Sequence, residues 1–418
     1  MRHEAASRLI CGDNLFALDD LIKEGIRVDL IYLDPPFFSN RHYEVIWGDE
    51  AEIRSFKDRW EGGINVYIEW MRERVSKMYD VLKDTGSLYL HCDWHASHHL
   101  RIMFDDIFGY RHFQNEIIWY YGPKATQNES HFQRKHDTIL FYSKSNTFLF
   151  NTLLQEYSDG SIQERKTRYK YEDKDGQYRL TTRRNSGGEK YRAKVYLNEG
   201  VAMTDVWKIN VINASSKERL GYPTQKPESL LERIIKAGSN KNDLVLDPFC
   251  GCGTCNVVAQ RLDRNWIGID ISPTAIKLIE KRLRKIGVIK NKNFDVTGMP
   301  TTLTELKALE PFEFQNWVIN EMKAKQSRKL TSDFGIDGYY DKTIFTERAG
   351  IQVKQSDNVG RNVVDNFETA LERGKFSKGF IVAFSFTKGA YEETARVKGE
   401  SDIKLIKVED LLLGKVKI

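Results

Sequence analysis

Residues 243–270 read DLVLDPFCGCGTCNVVAQRLDRNWIGID. They predict a short strand (243–246), a glycine-rich turn, a helix (255–262) and a second strand (266–269) that ends at Asp270. Strand, glycine-rich turn, helix, strand and acid, in this order, are typical of the doubly wound nucleotide-binding fold. We therefore expect an α/β protein whose mostly parallel sheet carries its site at the carboxyl ends of the strands.

The turn, Asp247-Pro248-Phe249-Cys250-Gly251-Cys252-Gly253-Thr254, suits a nucleoside ligand that bears positive charge. Gly251 and Gly253 let the backbone approach a ligand where a side chain would collide, and the Asp270 carboxylate can accept both hydroxyls of a ribose. A third glycine is missing and Asp247 would repel a pyrophosphate, which disfavours NAD. An acid there instead favours the sulfonium and amino groups of S-adenosylmethionine. A glycine-rich turn can also be purely structural, so the loop by itself does not decide the cofactor.

A second strand end carries residues that suit catalysis. The apolar run 28–33 stops at Asp34-Pro35-Pro36-Phe37, because two prolines cannot continue a ladder of hydrogen bonds. An exocyclic base amine is a poor nucleophile, since its lone pair is delocalised into the ring. The Asp34 carboxylate and the Pro35 carbonyl can accept both amine hydrogens, and Phe37 can stack on a base rotated out of the duplex. Methyl transfer by this route needs no metal. In isolation the tetrapeptide would be better interpreted as a plain proline turn after a strand.

The bulk properties set wide limits. The chain has 418 residues, a formal charge of +5 and a pI near 8.7, which permit a nucleic-acid partner without requiring one. No apolar run approaches membrane-spanning length, so we expect no membrane association and a cytoplasmic location. Three of the five cysteines crowd one loop, which fits neither a disulfide framework nor a zinc site. His91, His95 and His99 would share a helical face, but His91 closes an apparent strand, so we expect no metal there.

A polar region at about 150–221 separates the two motifs. Its segment 161–194 contains eleven Lys and Arg residues against five Asp and Glu, with four interleaved tyrosines. Basic residues with aromatics suit phosphate contacts and base stacking. A solvated loop is the alternative interpretation.

With both motifs on one chain, the sequence resembles the amino-methyltransferases of DNA, in particular the circularly permuted β group. In that group the DPPY-type motif comes first, the target-recognition region follows and the cofactor loop comes last. The resemblance includes Cys11-Gly12-Asp13-Asn14, like the motif whose acid faces the cofactor adenine. It also includes Thr224-Gln225-Lys226-Pro227, like the motif that closes over the methionine end of the cofactor. The predicted cofactor-binding residues are Asp13, Asn14, Thr224, Lys226, Asp247, Pro248, Phe249, Gly251, Gly253, Thr254 and Asp270.

The resemblance implies a Rossmann-like, mostly parallel seven-stranded methyltransferase sheet over residues 1–298, with target recognition at about 150–221. It implies S-adenosylmethionine as cofactor, double-stranded DNA as substrate and, for many members, a homodimer. Asp34, where N4-cytosine enzymes more often have Ser, favours the N6 amine of adenine, and N4-cytosine is the alternative. Phe37 replaces the commoner Tyr, so stacking is kept and the hydroxyl is lost.

Residues 299–418 predict a separate small α/β domain: a helix (312–323), two strands, a helix and a strand. Gly335-Ile336-Asp337-Gly338 and Ile351-Gln352-Val353-Lys354 resemble the Mrr branch of the restriction-endonuclease fold. That resemblance implies that Asp337 and the Val353 carbonyl hold Mg²⁺, with Gln352 in place of the usual second acid. Lys354 would orient the attacking water, and Glu321 could add an outer ligand. The alternative is a DNA-binding appendage that no longer cleaves.

Two further hypotheses remain from the sequence. One is an RNA or protein methyltransferase that uses the same loop, which the long basic insertion disfavours. The other is a DNA-binding or nuclease protein whose methyltransferase fold is inactive, which the intact acids of both motifs disfavour.

Overall fold

A computed structural model describes most of the chain, in twelve ranges: 7–38, 42–47, 51–57, 62–122, 131–157, 166–185, 187–213, 215–220, 224–327, 335–341, 348–398 and 402–416.

Within the described ranges, the first third of the chain supplies five strands of the main sheet. In order, its elements are β1 (Ser7–Cys11), α1 (Asn14–Lys23), β2 (Val28–Leu33), β3 (His42–Trp47), β4 (Ala51–Lys57), α2 (Ile64–Val81), β5 (Leu82–Cys92), α3 (Ser97–Phe108), β6 (Phe113–Tyr120) and β7 (His136–Ser143). The five strands are β1, β2, β5, β6 and β7. The predicted strand 28–33 is confirmed with both of its ends.

The middle of the chain consists of short strands and then returns to the main sheet. The short strands are β8 (Leu154–Gln155), β9 (Tyr171–Asp173), β10 (Gly176–Arg184), β11 (Lys190–Tyr196), β12 (Val201–Ala202) and β13 (Val206–Lys208). The returning elements are α4 (Glu228–Gly238), β14 (Leu244–Asp247), α5 (Thr254–Arg261), β15 (Asn265–Asp270), α6 (Pro273–Lys285) and β16 (Phe294–Thr297).

Among the described residues the main sheet has nine strands, in the order β13-β6-β7-β5-β2-β14-β15-β1-β16. Every neighbouring pair is parallel except the two that involve β7, so the predicted mostly parallel α/β fold is confirmed. The sheet has two strands more than the seven expected. The additional edge strands, β13 and β16, are three and four residues long, too short to show a periodic pattern in the sequence.

The central strands are buried on both faces, which explains their unbroken apolar sequence. In β2, Leu30 and Tyr32 contact the core beneath α4, α5 and α6, whereas Ile31 and Leu33 contact the core beneath α1, α2 and α3. Pairing of β2 with β14 sets Leu30 beside Val245. The two predicted motifs therefore emerge from adjacent parallel strands at the same edge of the sheet.

The inserted region is more ordered than its sequence suggested. Strands β9, β10 and β11 form a three-stranded antiparallel sheet, and β8 pairs with β12. Most side chains of the three-stranded sheet are exposed, so it lacks the apolar alternation by which strands are recognised.

The carboxy-terminal part forms its own sheet, in the order β17-β18-β19-β20-β21. Its elements are α7 (Leu303–Ala308), α8 (Pro311–Glu321), β17 (Lys325–Gln326), β18 (Gly338–Tyr340), β19 (Ala349–Lys354), α9 (Arg361–Gly374), β20 (Lys378–Ala383), α10 (Lys388–Arg396), β21 (Asp402–Lys407) and α11 (Val408–Leu412). The expected small α/β fold is confirmed, and the elements beyond the expected ones are α7 and β17 before β18 and α10, β21 and α11 after β20. In the described part of the chain, no helix is both long and apolar enough to cross a membrane.

Candidate active site

The catalytic motif forms a turn directly after β2. Asp34 is 17% exposed, and both its carboxylate oxygens accept hydrogen bonds from the Lys226 ammonium, at 2.8 and 2.6 Å. The Tyr67 hydroxyl donates to the carbonyl of Pro36 at 2.7 Å, which leaves the preceding carbonyl, that of Pro35, to other partners. Lys226 also lies 5.0 Å from the centre of the Phe37 ring. The turn thus presents a carboxylate, a carbonyl and an aromatic ring together.

Lys226 and Thr224 lie just before α4, as expected, but Lys226 contacts the other motif. Its side chain is 9% exposed, and the Thr224 carbonyl accepts a third bond from the same ammonium at 3.3 Å. The resemblance predicted a role for Lys226 over the cofactor. In the structure its contacts are with the catalytic carboxylate, a pairing for which nothing in the local sequence gave a signal.

The cofactor loop is hydrogen-bonded to Asp270, the acid at the end of the next strand. Asp270 ends β15, and its carboxylate accepts the backbone N–H of Gly251 at 2.8 Å and that of Ser272 at 2.9 Å. Burial raises the pKa of Asp270 to about 6, although those two hydrogen bonds lower it. Asp270 therefore holds the shape of the loop.

Gly253 is required for a reason that differs from the expected close approach of a ligand. Its φ is 72°, and a Cβ there would lie 2.6 Å from Ile279 of α6. Gly251 has a φ of 49°, also in the left-handed region. Glycine at 253 thus serves the packing of α5 against α6, whereas glycine at 251 serves the turn.

Asp247 lies at the carboxyl end of β14 and is 3% exposed. Burial, together with the nearby Asp34, raises the pKa of Asp247 well above its usual range. A buried carboxyl of this kind is stabilised in its charged form by a cationic ligand. This is the electrostatic environment expected for an amino or sulfonium group.

Hydrogen bonds through Arg74, a residue outside the predicted motifs, connect the start of α1 with the cofactor loop. Asp13 caps α1 by accepting the N–H of Leu15, and both its oxygens accept bonds from Arg74 at 3.0 Å. Arg74 also donates to Asn14 at 2.8 Å, and Asn14 donates to the Pro248 carbonyl at 2.8 Å. A signal was available, because Arg74 falls on the apolar stripe of α2 and is 4% exposed.

Aromatic side chains line the same side of the loop. The Phe249 ring lies 5.8 Å from that of Trp70, and the Arg74 guanidinium lies 3.8 Å from the centre of the Trp70 ring. Thr254, the first residue of α5, is buried beside Arg282, which donates to the Cys252 carbonyl at 2.5 Å. These contacts hold the loop against α2 and α6.

Behind the catalytic turn lies a buried polar group centred on His91, at the end of β5. His91 is fully buried; its Nδ1 lies 3.0 Å from the Tyr32 hydroxyl and its Nε2 lies 3.1 Å from Asp137 Oδ2. Asp34 Oδ1 lies 3.9 Å from Nδ1. The Tyr121 hydroxyl donates to the other oxygen of Asp137 at 3.2 Å.

His91 lies near the end of a strand, as the sequence indicated, and so shares no helical face with His95 and His99. His91 belongs to β5 and α3 begins only at Ser97, because the chain must leave the sheet before a helix can start. His95 instead pairs with Asp93 at 2.7 Å. The described residues contain no group of three or more His, Cys, Asp or Glu that could hold a metal ion.

In the inserted sheet, four basic residues lie on one face. Residues paired across antiparallel strands point to the same side, and β10 and β11 pair Arg184 with Lys190, Thr182 with Arg192 and Leu180 with Lys194. We call the resulting surface the basic face; all its basic members are exposed: Arg184, Lys190, Arg192 and Lys194. Lys194 is also paired with Asp173 at 2.5 Å.

The predicted nuclease residues lie together on adjacent strands of the carboxy-terminal sheet. Asp337 Oδ2 accepts the backbone N–H of Val353 at 2.6 Å. Gln352 is 5% exposed, and its Oε1 has no hydrogen-bond partner among the described residues. Lys354 follows at the end of β19.

Glu321 does not join the nuclease group. It forms an ion pair with Lys277 of α6, at the contact between α8 and the methyltransferase part. At the same contact Glu313 accepts a hydrogen bond from the Ser272 hydroxyl at 3.0 Å. Because α8 is amphipathic and lies against α6, its acids point away from β18 and β19.

Comparison with known proteins agrees with this two-part organisation. Residues 28–281 match the N6/N4 family model described as DNA methylase, and residues 306–413 match a model described as restriction endonuclease.

Three curated relatives match the methyltransferase part. The type II methyltransferase M.EcaI of Enterobacter cloacae is 30% identical over 322 residues, covering 65% of this chain and 68% of the relative. The type II methyltransferase M.HpaI of Haemophilus parainfluenzae is 31% identical over 277 residues, covering 66% and 74%. The DNA adenine methyltransferase YhdJ of Escherichia coli (strain K12) is 29% identical over 281 residues, covering 66% and 83%.

Proposed function

The chain belongs to the N6/N4 DNA methylase family, and from that premise we propose that it methylates the N6 amine of adenine at a specific sequence of double-stranded DNA, with S-adenosylmethionine as methyl donor. One observation carries the proposal: the Asp34-Pro35-Pro36-Phe37 turn and the glycine-rich loop emerge from adjacent strands, β2 and β14, at one edge of the sheet. The motif order, with Asp34 before Asp247, is that of the β group.

The side chains around the loop fit the cofactor. Asp247, buried and with a raised pKa, gains a partner when a cationic group binds. Asp270 has lone pairs for ribose hydroxyls, and Phe249 offers a ring face for the adenine. Asp13 and Asn14, held by Arg74, would border the adenine end. When bound, S-adenosylmethionine supplies an electrophilic methyl group.

The catalytic turn would prepare the amine. Asp34 and the carbonyl of Pro35 accept the two amine hydrogens, which draws the lone pair out of conjugation with the ring. Phe37 stacks on the base after it has rotated out of the duplex. The Lys226 ammonium donates to both oxygens of Asp34 and so orients the carboxylate that accepts these hydrogen bonds.

Adenine is the base that the observations favour. The motif begins with Asp34, and YhdJ, a relative 29% identical to this chain, is named a DNA adenine methyltransferase. Cytosine N4 has the same arrangement of an amine beside a ring nitrogen, so the same turn could accept it. The product therefore has to be identified chemically.

We propose that the basic face contacts the DNA backbone. Its four cations share one exposed side of an antiparallel sheet in the region predicted for target recognition. Cations in this arrangement match phosphates and release counterions on binding. A surface for the DNA backbone, separate from the turn that would receive the rotated base, favours duplex DNA over a single strand as the substrate.

The experiment that tests the function compares wild type with Asp34→Asn. Each protein is incubated with unmethylated DNA and S-adenosylmethionine without magnesium, and the DNA is digested to nucleosides that are identified by mass. Wild type should yield N6-methyladenine, and Asp34→Asn at least about 100-fold less, since a preorganised charge is lost at the reacting amine.

Cofactor binding measured by calorimetry should persist in Asp34→Asn. A matched control is Asp20→Asn, an exposed acid on α1, which should methylate at the wild-type rate. N4-methylcytosine as the product would overturn the choice of base, and a full rate for Asp34→Asn would overturn the assignment of the site.

We also propose that the carboxy-terminal domain cleaves DNA with Mg²⁺. Asp337, the Gln352 side-chain oxygen and the Val353 carbonyl offer only oxygen donors, which Mg²⁺ prefers, and the orphaned Gln352 oxygen fits such a ligand. When bound, Mg²⁺ would supply a Lewis acid, and Lys354 would orient the attacking water. Nicking of unmethylated plasmid that requires Mg²⁺ and is lost in Lys354→Ala supports this; no cleavage by wild type favours a DNA-binding appendage.

We further propose a domain boundary, an oligomeric state and a cellular location. The domain boundary lies at residues 298/299, between β16 and α7. The protein forms a homodimer, as the resemblance implies for many members, and sedimentation velocity tests this directly. It acts in the cytoplasm, where bacterial chromosomal DNA is accessible to it.

A further inference from the structure

We propose that His91, held by Asp137, is a positioning residue for the reaction: it takes from Asp34 the proton that the amine loses on methylation. The inference rests on the proposed function and concerns a step beyond the motif itself. The catalytic motif supplies the first acceptor, and the polar group behind it supplies the second.

His91 lies between Asp34 of the catalytic turn and Asp137. Asp34 Oδ1 lies 3.9 Å from His91 Nδ1, and on the far side of the ring Nε2 lies 3.1 Å from Asp137 Oδ2. His91 is fully buried, with the Phe37 ring 5.5 Å from it and the Trp119 ring 5.4 Å from it. The imidazole therefore lies between two largely buried carboxylates, Asp34 and Asp137, whose side chains are 17% and 16% exposed.

The hydrogen bonds determine which ring nitrogen is free to accept a proton. Burial alone would raise the pKa of Asp137, but the hydrogen bond from His91 and the charges around it, Lys226 included, lower it below its usual range. Asp137 is then an acceptor only, so His91 must donate from Nε2. In the imidazole form that donates from Nε2, Nδ1 carries the lone pair and can accept from the Tyr32 hydroxyl, 3.0 Å away.

Tyr32 can serve only as that donor. Burial, together with Asp34 and other nearby acids, raises the pKa of the Tyr32 phenol well above its usual range, so it stays protonated. The lone pair of Nδ1 therefore lies on the side of His91 that faces both Tyr32 and Asp34. Because Nδ1 has a single lone pair, the Tyr32 hydroxyl must turn away from it before Nδ1 can take a proton from Asp34, 3.9 Å away.

The reaction has to release one proton, and the charges around Asp34 show where it can go. Methyl transfer forms the bond between N6 and the methyl carbon, breaks the bond between carbon and sulfur, and leaves the positive charge on N6. One N–H bond then breaks, its electron pair stays on nitrogen, and Asp34 takes the proton. Lys226, although closer to Asp34, has no lone pair while it is charged and cannot accept it.

Transfer to His91 Nδ1 returns the electron pair of the O–H bond to Asp34, and the new imidazolium is balanced by the Asp137 carboxylate. No further reactant is required. Among the described residues, Asp34, Tyr32 and Asp137 lie beside His91, Tyr121 contacts Asp137, and Lys226 contacts Asp34.

The test is single-turnover methylation by His91→Gln, which can still donate to Asp137 but offers no base. We expect the rate at pH 7 to fall by about 100-fold or more, within the range of general-base effects, while the dissociation constants for S-adenosylmethionine and DNA stay within threefold. The deficit should narrow as pH rises, because hydroxide replaces the missing base. The matched control is His99→Gln, the same substitution at an exposed histidine of α3, which should methylate at the wild-type rate.

A second variant, Asp137→Asn, keeps the volume and removes the balancing charge, so it tests the proposal even if His91→Gln does not fold. We expect its rate to fall at least about tenfold with the melting temperature within a few degrees of wild type. Equal loss of rate and binding at every pH in these variants would show a structural role and overturn the proposal, as would a wild-type rate in either. Absence of methylated base with wild type would instead reject the proposed function.

Discussion

The Lys226 ammonium lies 2.6 and 2.8 Å from the two carboxylate oxygens of Asp34, although 192 residues separate them in the chain. Both side chains are largely buried, with 9% and 17% exposed. The pair joins the turn after β2 to the segment before α4. The ion pair therefore links the catalytic turn to the segment predicted to close over the cofactor.

Removal of Lys226 should cost stability as well as activity. In Lys226→Met we expect the free energy of unfolding to fall by about 3–5 kcal/mol, because a buried carboxylate loses its partner. Urea denaturation measures this. The double variant Asp34→Asn with Lys226→Met should recover part of the loss, since no charge is then left unpaired. Independent, additive effects of the two substitutions would contradict a direct pair.

Arg74 should matter for the cofactor although it lies in a helix remote from the loop in sequence. Arg74→Lys keeps the charge but cannot bond Asp13 and Asn14 together, so Asn14 loses the orientation that holds the Pro248 carbonyl. We expect the dissociation constant for S-adenosylmethionine, measured by calorimetry, to rise about tenfold, the size of a lost charged hydrogen bond. A fall in melting temperature with unchanged affinity would restrict Arg74 to a structural role.

Asp270 should make the cofactor-free protein less stable as pH rises from 5 to 7.5. Burial raises the pKa of Asp270 to about 6, above its unfolded value of 3.8. At pH 5 the folded state therefore holds a proton that the unfolded state has lost, and this stabilisation disappears as pH rises through about 6. Asp270→Asn removes this titration. The difference in unfolding free energy between Asp270→Asn and wild type should shift in favour of the variant by about 1–2 kcal/mol between pH 5 and 7.5.

Guanidinium denaturation at the two pH values measures that difference, and any constant effect of the substitution cancels. A difference that does not change with pH would show that Asp270 titrates at its ordinary pKa.

The basic face should set the salt dependence of DNA binding. For Lys190→Glu combined with Arg192→Glu, we expect the slope of log K against log salt concentration to fall in magnitude by about 2, as two phosphate contacts are lost. Fluorescence anisotropy with a labelled duplex measures it. Lys292→Glu, an exposed lysine beside β16, is the control and should leave the slope nearly unchanged. An unaltered slope in the double variant would remove the basic face from the DNA interface.

Local sequence was sufficient wherever a pattern repeats along one element. The apolar run 28–33, ended by two prolines, predicted β2 with both ends, and the alternation of strand, glycine turn, helix and strand predicted β14, α5 and β15 within one or two residues. These features depend on backbone preference and burial, which neighbouring residues determine. The parallel order of strands then placed the two motifs at one edge.

The partners inside the site were decided only by tertiary structure. Asp34 with Lys226, His91 with Asp137 and Arg74 with Asn14 join side chains from different elements, 192, 46 and 60 residues apart. No local pattern records such a pairing, because the charges meet only after the helices have packed on the two faces of the sheet. Sequence alone determined the fold, the family motifs and the chemistry they offer; packing decided which charges the buried carboxylates and the imidazole face, because only burial makes those few contacts stronger than their solvation by water.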